Sequence, residues 1–76
     1  MANMPDDVYL AYRINARLAG VVHDTKNAVI APSVARERFT EIWGDILLAG
    51  KRRVFPPSVV KEFEERLRVA AMAALT

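Results

Sequence analysis

The sequence predicts a small all-α domain made of three helices. Three times a proline stands at the start of an amphipathic run, at Pro5, Pro32 and Pro57. Proline suits the first helical position because the backbone N–H that it lacks would have no partner there, and its fixed φ already fits a helix. After each proline, apolar residues recur every three or four positions, which is the period of a helix with a buried face. We therefore predict helices over about residues 5–23, 32–49 and 57–75.

The first predicted helix is apolar on more than one side. Asp6 and Asp7 mark its start, because negative charge there opposes the positive end of the helix dipole. A helix with two apolar stripes must be covered twice, either by both other helices or by a second copy of the chain. We therefore expect a homodimer that forms through this helix. The core stripe comprises Leu10, Ile14, Leu18 and Val21, and the second stripe comprises Val8, Tyr12, Ala16, Ala19 and Val22.

The second predicted helix contains one glycine and is followed by another. Gly50 is expected to provide the C-cap of this helix. Gly44 lies inside the helix at a cost of about 1 kcal/mol relative to alanine, which predicts the close approach of another backbone or a large side chain. The broad apolar face of this helix comprises Ala35, Phe39, Ile42, Trp43, Ile46 and Leu47.

Apolar residues also occur in the connections between the helices. Residues 24–31 are interpreted as a packed connection, and Val54 and Phe55 are expected to lie beneath the second loop. The third predicted helix has a simple amphipathic pattern, with i,i+4 ion pairs on its outer side. Its inner face comprises Val60, Phe63, Leu67, Ala70, Ala71 and Ala74, and its expected ion pairs are Glu62 with Arg66 and Glu64 with Arg68.

Composition limits the class of protein. The 76 residues form a single domain, which at this size buries only roughly 60–65% of its unfolded surface and is marginally stable alone. The absence of cysteine excludes disulfides and thiolate metal sites and favours a reducing cytoplasm. We expect neither a signal peptide nor a membrane span, and hence a cytoplasmic protein. The net charge of +2 does not by itself indicate nucleic acid.

The sequence offers little for catalysis or for metal binding. His23 is the only histidine, and although Asp24 is next to it, a triad also needs a nucleophile held near the imidazole. Ser33 and Ser58 are expected to cap helix starts. No second histidine or carboxylate cluster indicates a metal site, and the dispersed glycines form no phosphate-binding loop. We therefore predict a protein that is not an enzyme and that holds no cofactor or metal.

The candidate protein-binding residues lie on the first helix. Tyr9, Tyr12, Arg13 and Arg17 are spaced so that Tyr9, Arg13 and Arg17 follow one another by one turn. Tyrosine and arginine are enriched among the residues that dominate binding at protein interfaces. The alternative is that Tyr12 extends from the core with its hydroxyl in water while both arginines solvate the outer face. Trp43 is interpreted as a core residue.

Three consecutive cations, Lys51, Arg52 and Arg53, provide a possible nucleic-acid contact. Two observations weigh against it. The link over residues 50–56 is longer than the three or four residues of a helix-turn-helix, and the first half of the third helix is acidic. Positive charge after the second helix is also favoured by its dipole.

These observations predict a module that binds another protein and modulates it by occlusion, as a regulator or inhibitor. Its small size and lack of catalytic groups suit a bacterial or bacteriophage accessory protein. The first alternative is a small nucleic-acid-binding regulator that uses residues 51–53. The second alternative is a structural subunit of a larger assembly.

Overall fold

The computed structural model describes residues 6–76 as three helices. They are α1 (Asp6–Lys26), α2 (Pro32–Lys51) and α3 (Pro57–Leu75). Each helix packs against both others, and no strand occurs within residues 6–76. The predicted all-α, three-helix architecture is confirmed. Pro5, which was predicted to begin the first helix, lies outside the described residues.

The helix ends differ from the prediction more than the helix starts do. The third helix has its predicted bounds, and the second helix begins at Pro32 as predicted. However, α1 continues three residues beyond residue 23 to Lys26, and α2 continues two residues beyond residue 49. The polar residues at the end of α1 remain helical, and the half-buried Thr25 donates its hydroxyl hydrogen to the Val21 carbonyl oxygen at 2.6 Å.

Both loops end the preceding helix with the same hydrogen-bond pattern. Two loop N–H groups reach back to carbonyl oxygens three and five residues earlier, which defines a Schellman motif. This motif satisfies carbonyl groups that would otherwise have no partner at the end of the helix. The bonds run from Ala28 to Thr25 (3.2 Å) and Val29 to Asp24 (2.8 Å) in the first loop, and from Arg53 to Gly50 (3.1 Å) and Val54 to Ala49 (2.9 Å) in the second.

The Schellman motif requires a residue in the left-handed region, and neither loop uses glycine there. Ala28 has a φ of 58° and Arg53 has a φ of 61°. The prediction that Gly50 caps α2 is therefore wrong: Gly50 lies inside the helix, and the left-handed position falls three residues later. In each loop this position precedes the helix-starting proline, Pro32 or Pro57, by four residues. The two loops thus repeat one geometry at a spacing of 25 residues.

The hydrophobic core is formed by all three helices together with the second loop. Phe55 is buried and stacks on Phe63, with 5.3 Å between the ring centroids, so the prediction that this loop is anchored from beneath is confirmed. Leu47 was predicted to face inward but is 47% exposed, and Trp43 is only half-buried. The buried core residues are Ile14, Leu18, Val21, Ala35, Phe39, Ile42, Ile46, Ala49, Phe55 and Phe63.

Neither glycine of α2 has the role that was predicted for it. A Cβ added to Gly44 would have no neighbour within 4 Å among the described residues, so the expected close approach is absent there. A Cβ added to Gly50 would lie 2.8 Å from Cγ2 of Val60. Gly50 therefore lets the start of α3 approach the end of α2, because a side chain there would force Val60 or one of the helices to shift.

Two further predictions, on the ion pairs of α3 and on serine caps at the helix starts, also differ from the structure. Arg66 pairs with Glu62 as predicted, with 2.5 Å between Nη2 and Oε1. Arg68 pairs with Glu65 rather than Glu64, and this hydrogen bond lowers the pKa of the Glu65 carboxyl. Serine capping is not observed either: the N-cap positions of α2 and α3 are held by Ala31 and Pro56, and neither start has a side-chain cap.

The contrast between the two α2 glycines predicts opposite effects of alanine. Gly44→Ala should raise the free energy of unfolding by about 0.5–1 kcal/mol, because it improves helix propensity in open space. Gly50→Ala should lower it by about 1–2 kcal/mol, because the contact with Val60 outweighs the same gain in propensity. Denaturant unfolding of both variants measures the difference. Equal effects of the two substitutions would contradict the close approach at Gly50.

Glycine at the left-handed positions should stabilise the fold. We expect Ala28→Gly and Arg53→Gly each to raise the free energy of unfolding by about 0.5–1 kcal/mol, since the left-handed region is unfavourable for residues with a Cβ. Arg36→Gly is the matched control for Arg53→Gly, because it removes the same charge from an exposed helical position and should cost about 1 kcal/mol. Destabilisation by Arg53→Gly of the same size as the control would contradict the assigned loop geometry.

Candidate functional site

The structure brings two separate parts of the candidate surface together in one groove. The groove lies between the first half of α1, the end of α2 and the loop that follows α2. It encloses about 290 Å³, which is small for a ligand pocket and has room for one or two side chains of a partner. Its lining residues are Leu10, Arg13, Arg17, Asp45, Leu48, Ala49, Arg52 and Val54.

The apolar part of the groove is contributed by three elements. Leu10 of α1 and Val54 of the loop are half-buried and pack against the core, so they form a fixed floor. Leu48 of α2 is 44% exposed and provides an apolar side wall. No sequence motif marks Leu48, because its exposure depends on the rotation of α2 within the bundle. The groove therefore offers apolar contact area next to positive charge.

Three arginines line the groove, and one of them already binds a carboxylate. Arg17 Nη1 donates to Asp45 Oδ2 at 2.6 Å, which joins α1 to α2 across the groove. The two side chains are 36% and 51% exposed, so water screens the pair and its contribution to stability is about 0–1 kcal/mol. Its main effect is geometric, because it fixes the direction of the Arg17 guanidinium and places a negative charge inside the groove.

Arg13 interacts with the tyrosine one turn before it on α1. The guanidinium carbon lies 5.8 Å from the centroid of the Tyr9 ring, which is the geometry of a cation–π contact. Such a contact contributes about 0.5–1 kcal/mol at an exposed site. Tyr9 and Arg13 therefore interact, as residues one turn apart on a helix can, although only Arg13 lines the groove.

The remaining candidate residues do not join the groove. Tyr12 is 65% exposed and is not among the groove residues, although the sequence grouped it with Tyr9, Arg13 and Arg17. Lys51 ends α2 and Arg53 holds the left-handed loop position; both are exposed, and neither lines the groove. Of the three consecutive cations, only Arg52 faces the arginines of α1.

The described residues hold no cluster suited to a metal ion. Across residues 6–76, no group of three or more histidine, cysteine, aspartate or glutamate side chains lies close enough to bind one. His23 lies in the last turn of α1, with Nδ1 at 3.3 Å from Oδ1 of Asp24, as expected for a helix-end histidine. None of the three helices combines the length and hydropathy that crossing a membrane requires, within the same range.

Comparison with known proteins matches this chain to no family model, no curated protein and no solved structure. The chemistry of the site therefore follows from its own residues. Guanidinium groups bind carboxylates or phosphates through paired N–H donors, whereas the apolar floor suits an aliphatic or aromatic side chain. Together they favour a ligand that combines negative charge with an apolar group.

The geometry of the Arg17–Asp45 pair predicts a small coupling energy. A double-mutant cycle with Arg17→Gln and Asp45→Asn should give about 0.5 kcal/mol in denaturant unfolding, decreasing as salt is added. The reason is that both side chains remain in contact with water. A coupling above about 2 kcal/mol that salt leaves unchanged would show instead that the pair is dry and carries the α1–α2 contact.

Proposed function

We propose that this chain is a non-enzymatic module that binds another protein through the groove and modulates it by occlusion. The observation that supports the proposal is the convergence of Arg13, Arg17 and Arg52, from two distant parts of the chain, on an apolar floor. Arginine and tyrosine are enriched among the residues that dominate binding energy at protein interfaces, and the exposed Tyr9 ring contacts Arg13. A regulator or inhibitor, of the kind made by bacteria or bacteriophages, fits this small binding surface.

The partner that fits this groove carries carboxylates beside an apolar side chain. Arg13 and Arg52 would each bind a carboxylate of the partner, because a guanidinium presents two parallel donors. The apolar side chain would displace water from between Leu10 and Leu48, and its burial would supply the non-polar part of the binding energy. Binding of this kind needs no chemical step, since the partner loses activity when its own surface is covered.

Asp45 contributes to the choice of partner. Its carboxylate lies within the groove and neutralises Arg17. A ligand with dense negative charge along its whole length, such as a nucleic-acid backbone, would find no net positive charge at this point. A protein segment can place its carboxylates opposite Arg13 and Arg52 and leave the position next to Asp45 uncharged. This carboxylate is the feature that favours protein over nucleic acid.

Affinity capture from a bacterial lysate, with and without nuclease, tests the proposal. The wild-type chain should retain one stoichiometric protein in the presence of nuclease. Arg13→Gln/Arg52→Gln should lose at least tenfold in affinity for that protein, because each arginine of such a site contributes on the order of 1 kcal/mol or more. The matched control is Arg36→Gln/Lys61→Gln, which removes the same charge from exposed positions outside the groove and should bind as the wild type does.

The alternatives give different results in the same experiment. Loss of all captured material on nuclease treatment would establish the nucleic-acid-binding regulator instead. Growth of the purified chain into large assemblies as its concentration rises would indicate a structural subunit. Retention of the protein partner by Arg13→Gln/Arg52→Gln would show that another surface binds it. Thermal unfolding of each variant confirms that the fold is intact.

A further inference from the structure

A second cavity continues the groove along α1 and α2. It encloses about 290 Å³, and Arg17 lines both the groove and this cavity. The buried side chains of Val21 and Ile42 form its floor. The third helix, α3, is described over its whole length and lines neither cavity. The second cavity therefore lies on the same side of the α1–α2 pair as the groove does.

The two cavities follow one face of each helix. Apart from the buried floor residues, both are lined at alternating steps of three and four residues, from Leu10 to Asp24 on α1 and from Arg38 to Arg52 on α2. Such steps keep side chains on one side of a helix. Fourteen residues of helix extend over about 21 Å, which is about four turns. The cavities are therefore the two halves of one straight cleft, which we call the α1–α2 cleft.

The two ends of the α1–α2 cleft carry opposite charge. Arg13 and Arg52 lie at one end, and neither forms an ion pair among the described residues. At the other end, the carboxylates of Asp24 and Glu41 outnumber the single cation of Arg38. The ion pair between these ends is neutral as a whole. A segment that complements the cleft is therefore acidic at one end, uncharged in the middle and basic at the other end.

An α-helix of about four turns has this order of charges for reasons of its own stability. Acidic side chains are favoured in the first turn of a helix and basic side chains in the last, because they oppose the helix dipole. The first turn of such a helix would lie beside Arg13 and Arg52, and its last turn beside Asp24 and Glu41, so it would run in the same direction as α1. Two packed helices also accept a third along the groove between them, as α3 already packs against both α1 and α2.

Gly20 keeps the second half of the α1–α2 cleft open. It is exposed, and an added Cβ would have no neighbour within 4 Å in the part of the chain that the structure describes. The fold itself therefore does not require glycine at this position, although glycine lowers helix propensity relative to alanine. A partner that packs over Gly20 accounts for the glycine, because the missing side chain allows close approach to the backbone of α1.

We propose that the partner presents an amphipathic α-helix of about four turns, which lies along the whole α1–α2 cleft in the same direction as α1. Its acidic first turn binds Arg13 and Arg52, and a small uncharged residue lies over the ion pair between Arg17 and Asp45. An apolar side chain near its last turn packs against Gly20. This inference rests on the proposed function and deepens it, since it gives the form and the direction of the bound segment.

A synthetic helical peptide of about 15 residues tests the extent of the site. The peptide carries two glutamates in its first turn, two lysines in its last turn and, on one face, a leucine near each end with alanine between them. In an NMR titration it should shift the signals of both the Val54 methyl groups and the Gly20 amide, which lie in different halves of the cleft. No shift at about 1 mM peptide, or shifts at Val54 alone, would overturn the proposal.

A nitroxide label on the same peptide tests the direction of binding. A label on its first residue should broaden the methyl signals of Val54 more than the amide signal of Gly20. A label on its last residue should broaden the amide signal of Gly20 more than the methyl signals of Val54. The opposite pattern would show that the helix runs against the direction of α1 and would overturn the proposal.

Substitution of Gly20 tests the second half of the cleft. Gly20→Leu should lower the affinity for the peptide roughly tenfold or more, because the new side chain fills the space that the peptide occupies. Gly44→Leu is the matched control and should leave the affinity unchanged. Gly44 is also an exposed helical glycine with open space around it, and it lines neither cavity. Circular dichroism of both variants checks that the helices are intact.

This inference and the proposed function fail in different ways. Wild-type peptide affinity in Gly20→Leu, together with at least a tenfold loss in Arg13→Gln/Arg52→Gln, would overturn the helix along the whole cleft and leave the groove as a binding site. Wild-type affinity in Arg13→Gln/Arg52→Gln, for the peptide and for the captured partner alike, would contradict the proposed function as well.

Discussion

The two left-handed residues, Ala28 and Arg53, determine where α1 and α2 end, and the rest of the structure depends on where these helices stop. Each closes a Schellman motif and is followed by a proline that starts the next helix. Placing a residue with a Cβ in the left-handed region of φ and ψ costs about 1–2 kcal/mol. At the second loop, burial of Phe55 against Phe63 contributes about 1.5–3 kcal/mol and outweighs that cost. The loop is held from beneath while its cations stay exposed.

The geometry of the second loop also creates the groove. The short connection turns α3 back from α2, and it leaves Arg52 and Val54 beside the first half of α1. Gly50 contributes to the same turn by allowing Val60 to approach the end of α2. Arg13 and Arg52 are 39 positions apart in the chain and share a surface only because the loop has this geometry. The loop that stabilises the fold therefore also assembles the candidate binding site.

The sequence was sufficient to predict the helix starts, and less informative about the helix ends. Proline marks a start through its own covalent geometry, so Pro32 and Pro57 were assigned correctly. The ends were missed because the left-handed residues are alanine and arginine, and the usual glycine signal pointed to Gly50 instead. Which glycine contacts a neighbour depends on the rotation of each helix within the bundle, and local spacing does not determine that rotation. For the same reason Leu47 was assigned inward although it is exposed.

The candidate site was predictable only in its parts. Spacing on one helix grouped Arg13 and Arg17, which line the groove, with Tyr9 and Tyr12, which do not, and the run of three cations included Arg52. Their convergence depends on tertiary packing, and so does the exclusion of Tyr12, which lies on the outer side of α1. Asp45 and Leu48 carried no motif and gained significance only through their position beside the arginines.

Solution NMR can determine whether the second loop holds the basic segment against α1. Nuclear Overhauser effects should connect the methyl groups of Leu10, Leu48 and Val54 across the groove. Arg53 should show a strong intraresidue amide-to-α-proton effect, as expected for its positive φ. A helical φ at Arg53, together with no contact between the methyl groups of Leu10 and Val54, would show that Arg52 is not held beside Arg13.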